Sequence, residues 1–172
     1  VVNDRFHVQQ VYNEAVDEIR IDIRRRLIAE ENNRDKSVPP KTYSNGETMR
    51  QILARSKHTL MMSQNKWSEI QRHRVYILFK YHPILKSAYT LAMELRRIFN
   101  AQISPTKAMS RMSKWYEKVM ALGNNNFRSV IKTFKNHAPT ILNYFRRRAT
   151  NASAEAFNSK VKIFRSQMRG VR

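Results

Sequence analysis

Apolar residues recur at three- and four-residue steps along most of the chain, the period of amphipathic helices rather than strands. The first run, Val8, Tyr12, Ala15, Val16, Ile19, Ile23 and Leu27, predicts one long helix with Asp4 placed to cap it. Val1-Val2 ahead of it is short and β-branched and reads as the tail of a strand. Residues 36–48 break the period, because Pro39, Pro40, Asn45 and Gly46 fall together as in a loop or linker. A less regular stretch occupies residues 49–62. Residues 66–81 are apolar at Trp67, Ile70, Val75, Ile77, Leu78 and Phe79, and the Tyr81-His82-Pro83 break separates them from a helix over 84–100. These two are expected to form a helical hairpin. Ser104-Pro105 has the cap-then-proline form of a helix start, and Gly123 ends the segment that follows it. Residues 127–145 form the next helix, with Pro139 expected to kink or divide it. Thr150-Asn151 resets the pattern for a last helix to about Met168, closed by Gly170.

Composition agrees with this reading. Three glycines and five prolines leave few of the close-spaced turns that a sandwich or barrel needs, so the fold class is mainly α. With 172 residues and 41% hydrophobic content the chain can bury one ordinary core. No apolar run has the length of a membrane span. The absence of cysteine excludes disulfides and thiolate zinc sites, and the five histidines show no metal-ligand spacing. The chain starts Val1-Val2-Asn3-Asp4, with neither an initiator methionine nor a signal-peptide pattern, and is expected to be a piece of something longer.

Charge adds a direction. The net charge is +20, yet in residues 1–35 eight acids outnumber six bases, so the positive field belongs to residues 36–172. A nucleic acid is the natural partner for such a surface. The alternatives are a solubilising face, or one that meets an acidic protein or a membrane. Beyond Glu117 twelve lysines and arginines share the chain with one acid, Glu155. In the last helix Phe157, Val161, Phe164 and Met168 form the apolar stripe, while Asn151, Glu155, Asn158, Ser159, Lys162 and Arg169 fall on the opposite face. By periodicity alone Glu155 is a solvated glutamate beside Ser159 and Lys162. A carboxylate among so many bases also suits a divalent metal held against DNA phosphate.

The segment Ala149-Thr150-Asn151-Ala152-Ser153-Ala154-Glu155-Ala156-Phe157-Asn158-Ser159-Lys160-Val161-Lys162, followed by Arg165 and Gly170, resembles the C-terminal signature of DDE-type insertion-sequence transposases of the ISL-three family. Three upstream segments resemble the same family in order: Asp4-Arg5-Phe6-His7-Val8; Tyr81-His82-Pro83-Ile84-Leu85 with Ala88-Tyr89, Glu94 and Leu95; and Ile141-Leu142-Asn143-Tyr144-Phe145. Four ordered matches are far more specific than a lone Thr-Asn-x-x-x-Glu. Ala152 and Ala156 stand where glycine is commoner in the family, and both changes exchange one small residue for another.

The resemblance implies an RNase H-like (α/β) transposase core in which two aspartates on strands and a glutamate on a later helix hold two Mg²⁺ or Mn²⁺ ions. Glu155 would be the third ligand, and the two aspartates, with most of the strands, would precede Val1. Residues 1–35 would then end a core strand and supply a long helix, with residues 36–48 a linker loop and 49–126 a helical insertion. Residues 127–172 would carry the catalytic glutamate. Arg146, Arg147 and Arg148 directly before that helix, with Asn151, Asn158, Lys160, Lys162, Arg165 and Arg169 on it, would contact DNA. Asp4, a near-site neighbour of His7, reads either as a helix cap or as a group touching metal or DNA. Trp67 and Trp115 read as core residues, with stacking on an unpaired base the alternative. The implied activity is metal-dependent DNA cleavage and strand transfer on transposon ends and target, by a cytoplasmic, nucleoid-associated bacterial protein that acts as a homodimer; the isolated chain is expected to be inactive. Two readings of other classes stay open: a non-catalytic helical module that binds DNA or RNA, and an adaptor for acidic proteins.

Overall fold

The computed structural model describes residues 5–147. The helix predicted from the first apolar run is α1 (Arg5–Asn32), and Val8, Tyr12, Ala15, Val16 and Ile19 are all buried along it. The loop that follows is tied by an isolated bridge between Thr42 and Thr48 around a turn at Gly46, whose φ of 76° is left-handed. The less regular stretch forms two short helices, α2 (Met49–Arg55) and α3 (Lys57–Met61), the first started by a reciprocal capping box between Thr48 and Gln51. A second capping box, Ser68 with Gln71, opens α4 (Glu69–Tyr81), and Pro83 at the first turn opens α5 (Pro83–Asn100). Ser104 accepts from the Lys107 amide to start α6 (Pro105–Leu122), which stops at left-handed Gly123. The last described helix is α7 (Arg128–Arg147). Pro139 does not divide it, because the proline sits on the exposed side, where water can serve the carbonyl it leaves unpaired. Among the described residues there is no sheet, so the architecture is mainly α.

Four helices close on one another: α1 packs on α5, α5 on α6, α6 on α7, and α7 back on α1. Two aromatic residues hold that ring together. Tyr12 of α1 lies 5.4 Å from Trp115 of α6 and 5.1 Å from Phe127 at the start of α7, and its hydroxyl donates to the Ala88 carbonyl of α5 at 3.1 Å. Trp115 in turn stacks obliquely on Phe134 of α7 at 4.7 Å and donates from Nε1 to the Leu91 carbonyl of α5 at 2.9 Å. Both polar tips are therefore satisfied inside the core, which a buried tyrosine or tryptophan requires. Phe99, Tyr144 and Phe145 pack together and join the far ends of α5 and α7.

Helices α2, α3 and α4 form a smaller layer against α1 and α5. Its centre is Glu47, a buried carboxylate just before α2. It takes the fork of Arg74 from α4 at 2.7 and 2.8 Å, a further bond from Arg55 of α2, and the Asn45 amide at 2.8 Å. The Arg74 hydrogen bonds hold the Glu47 carboxyl well below its usual value, at about 2. The expected apolar set of α4 is corrected at one position, since Ile70 is 71% exposed while Val75, Ile77 and Leu78 are buried. Ile70 sits in the first turn, beyond the reach of α2 and α5, the helices that cover α4. The two helices meeting at the Tyr81-His82-Pro83 break touch through Phe79 and Tyr89, 5.5 Å apart.

Truncating Trp115 to alanine removes packing shared by all four ring helices and is expected to cost about 3–5 kcal/mol in urea or thermal unfolding. Glu47→Gln is expected to destabilise by about 3 kcal/mol near neutral pH. A carboxyl whose folded pKa is depressed stabilises fully above its unfolded value of 4.5 and loses that contribution as pH falls towards about 2. The stability gap between wild type and Glu47→Gln should therefore shrink by more than half between pH 7 and roughly pH 3; a constant gap over that range would refute the clamp.

Candidate nucleic-acid interface

Several acidic side chains in the described residues are spent on structure. Asp17 pairs with Arg20 at 2.6 Å and Lys57 at 3.6 Å, Glu47 with Arg55 and Arg74, and Glu94 of α5 with Lys118 of α6 at 2.7 Å. The exposed members of these pairs contribute little to stability, but each removes one carboxylate from the field that a polyanion would meet. Glu14, Glu18, Glu30, Asp35, Glu69 and Glu117 stay exposed without an ion pair among the described residues, so the positive surface is confined to particular faces.

The clearest case is α6. Its buried stripe is Ala108, Met112, Trp115 and Val119, at steps of four, three and four. One residue earlier in each turn stand Lys107, Arg111, Lys114 and Lys118, all exposed, so the cations form a row rotated about 100° from the core. The row is roughly 16 Å long. Lys118 is engaged by Glu94, whereas Lys107, Arg111 and Lys114 make no ion pair among the described residues. Arg128 and Lys132 are likewise exposed, one turn apart at the start of α7. Packing of α6 against Tyr12, Leu91 and Phe134 makes this row a fixed array of charges.

The residues expected to carry chemistry fall elsewhere. Arg146 and Arg147 close the last turn of α7, with side chains outside the described residues. Arg148, Asn151, Glu155, Asn158, Lys160, Lys162, Arg165 and Arg169 lie outside the described residues, as does Asp4; His7 is in α1 with its side chain likewise outside them. Among the described residues no three His, Asp or Glu side chains gather as a metal cage requires, so this part of the chain does not by itself fit a divalent cation. Trp67 and Trp115 are core residues, at 8% and 0% exposure. The upstream segments of the family pattern are also structural. Leu85, Ala88, Tyr89 and Leu95 are buried on α5, Glu94 holds Lys118, and Ile141, Tyr144 and Phe145 are buried on α7.

A family model described as transposase, of the DDE class and ISL-three type, matches residues 1–172. The chain belongs to that family. Neither a curated protein nor a solved structure matches it. A transposase of this family has a role in transposition, its substrate is DNA, and divalent metal is general to the class. No helix among the described residues is long and apolar enough to cross a membrane. The sequence places the positive field broadly over residues 36–172, but the individual DNA-contacting residues expected from it lie at 146–169, and the α6 row is not among them. The signal is nevertheless present, as a four-three-four spacing of basic residues one position ahead of the apolar stripe.

Proposed function

We propose that this transposase chain supplies Glu155 as the last carboxylate of a divalent-metal centre for DNA cleavage and strand transfer. The observation that supports this most is the Thr150-Asn151…Glu155…Asn158 signature in a chain that belongs to the DDE family. The two aspartates of the site would come from an RNase H-like core outside residues 1–172, with residues 49–126 a helical insertion in it. Bound divalent cations would supply charge neutralisation at the scissile phosphate and a more acidic attacking hydroxyl. Glu155 would hold that charge in place with hard oxygen ligands, and the basic residues flanking it would hold the strand. Arg146, Arg147 and Arg148 enter the proposed helix, and Asn151, Asn158, Lys160, Lys162, Arg165 and Arg169 lie along it, a composition suited to phosphate contacts. The α6 row belongs to the same reading as a second, fixed line of cations for the DNA backbone.

In the full-length transposase, Glu155→Gln is expected to keep DNA affinity and lose metal-dependent nicking by about 100-fold or more, as for a lost electrostatic group at a reacting centre. Undiminished nicking would sink the assignment and favour a non-catalytic DNA-binding module. Replacing Lys107, Arg111 and Lys114 together by glutamine is expected to weaken duplex binding about equally for all sequences. The slope of log affinity against log salt should fall by about 1 for each phosphate that is no longer neutralised. Thermal stability should barely change, because all three side chains are exposed.

A further inference from the structure

The smaller helical layer carries a groove that neither the core nor the proposed metal centre uses. It lies between the turn at Gln64–Lys66, α4 and the start of α5, with a volume of about 710 Å³, within the size range of small-ligand sites. Three aromatic side chains, Trp67, Tyr76 and Phe79, and three cations, Arg72, Lys80 and Lys86, line it, with the Gln64 and Asn65 amides at one end. No carboxylate does. The larger groove, about 1000 Å³ between α1, α3 and α5, is mixed in charge, since Glu14, Asp17 and Glu18 share its lining with Lys57, Lys66 and Arg96 and leave a phosphate no net attraction.

We propose that the α4 groove binds unpaired, single-stranded DNA; the proposal rests on the reading of this chain as a DNA-binding transposase part. Tyr76 is 67% exposed, an aromatic ring that no neighbour covers, and it stands one turn from Arg72 on one side and Lys80 on the other. That is the arrangement of a stacking platform flanked by phosphate-binding cations. Arg72, Lys80 and Lys86 form no ion pair among the described residues, and Lys80 has only a cation–π contact, 5.8 Å from the centroid of the exposed Tyr81 ring. The opposite wall is rigid. Trp67 donates from Nε1 to the Thr59 carbonyl at 2.8 Å, and its ring lies 5.2 Å from that of Tyr89, whose hydroxyl is held by the Met62 carbonyl at 2.9 Å. This wall is core and offers little free ring face, so it shapes the groove while the exposed Tyr76 ring is the surface on which a base stacks. Unpaired DNA fits better than duplex, because a paired base hides its faces in the stack and offers only edges and phosphates to a protein. The amides of Gln64 and Asn65 can meet the exposed edge of such a base.

The test is fluorescence anisotropy of the full chain with labelled oligo-dT of about fifteen nucleotides, beside a blunt duplex of the same length. Tyr76→Ala should weaken oligo-dT binding about tenfold or more and leave the duplex unchanged, while Tyr76→Phe should bind oligo-dT as wild type does. Exchanging Arg72, Lys80 and Lys86 for glutamine should weaken oligo-dT binding and flatten its salt dependence. Equal losses for oligo-dT and duplex in Tyr76→Ala, or no loss for either, would overturn the groove assignment while leaving the DNA reading standing. Poly-glutamate that competes with oligo-dT equally well in wild type and Tyr76→Ala would also overturn it, in favour of an acidic protein partner. A chain that binds neither DNA would overturn the DNA reading itself.

Discussion

The packing of Tyr12 on Trp115 is the constraint on which the described fold depends. Each ring is fully buried, and each polar tip is satisfied by a carbonyl of α5, Ala88 for Tyr12 and Leu91 for Trp115. One helix therefore serves both aromatics, and these fix α1 and α6 against it, while Phe127 and Phe134 bring in α7. A shift of α6 along its axis by one residue would break the Trp115 hydrogen bond and withdraw the ring from Tyr12 together. The α6 cations inherit this rigidity, because each of them is one residue ahead of a buried position on the same helix.

Lone carboxylates in basic surroundings have one observed use and one proposed use in this chain. Glu47 is the single acid between Asp35 and Glu69, and its job is structural: two arginines from different helices close on it and hold α2 against α4. Glu155 is the single acid after Glu117, in a segment whose pattern belongs to a transposase family and whose neighbours are small or polar. Charge isolation alone does not tell these uses apart. What differs is the company, since Glu47 precedes a capped helix start and meets Arg55 at the end of that helix and Arg74 from α4, while Glu155 sits in a run of alanines and asparagines. Small neighbours leave room for a large anionic substrate to approach; arginines fill that room.

Much of the secondary structure is legible in the sequence because its signals are local. Ser104-Pro105, Gly123, and the proline after His82 act within a turn of where they stand, and the helices begin or end there. Tertiary relations are not legible in the same way. The apolar stripe of α5 announces a buried face, but not that α1, α4 and α6 would divide it between them. Ile70 shows the limit, since its spacing fits the stripe of α4 and its position in the first turn puts it past the covering helices. Residues 49–62 are ambiguous by pattern because Ser56 ends one short helix and begins the next, leaving each piece two turns or fewer in which to show a period. For the interface, apolar stripes draw the eye to the core, and the row Lys107, Arg111, Lys114 and Lys118 becomes visible only when the polar positions are traced with the same period. The Arg72, Tyr76 and Lys80 face needs the fold, because nothing in the sequence says which side of α4 its neighbours leave open.

The charge distribution and the packing together divide the labour of the chain. Residues 1–35 hold most of the acids, and α1 packs against α2, α3, α5 and α7, so while Glu14, Glu18, Glu30 and Asp35 stay exposed, part of the negative charge falls where helix meets helix. There it is spent: Asp17 on Arg20 and Lys57, Asp22 on Arg25 and on the amide of Asn126. Arg72 and Lys80 of α4, Lys107, Arg111 and Lys114 of α6 and Lys132 of α7 then face outward without an ion pair among the described residues, with Glu69 and Glu117 the acids left on the surfaces of α4 and α6. A chain of the same composition with its acids spread evenly would have the same net charge and a much weaker local field, because paired charges of opposite sign cancel within a Debye length of about 8 Å. Segregation rather than total charge is what turns these helices into a surface for a polyanion, and in a transposase that polyanion is the substrate.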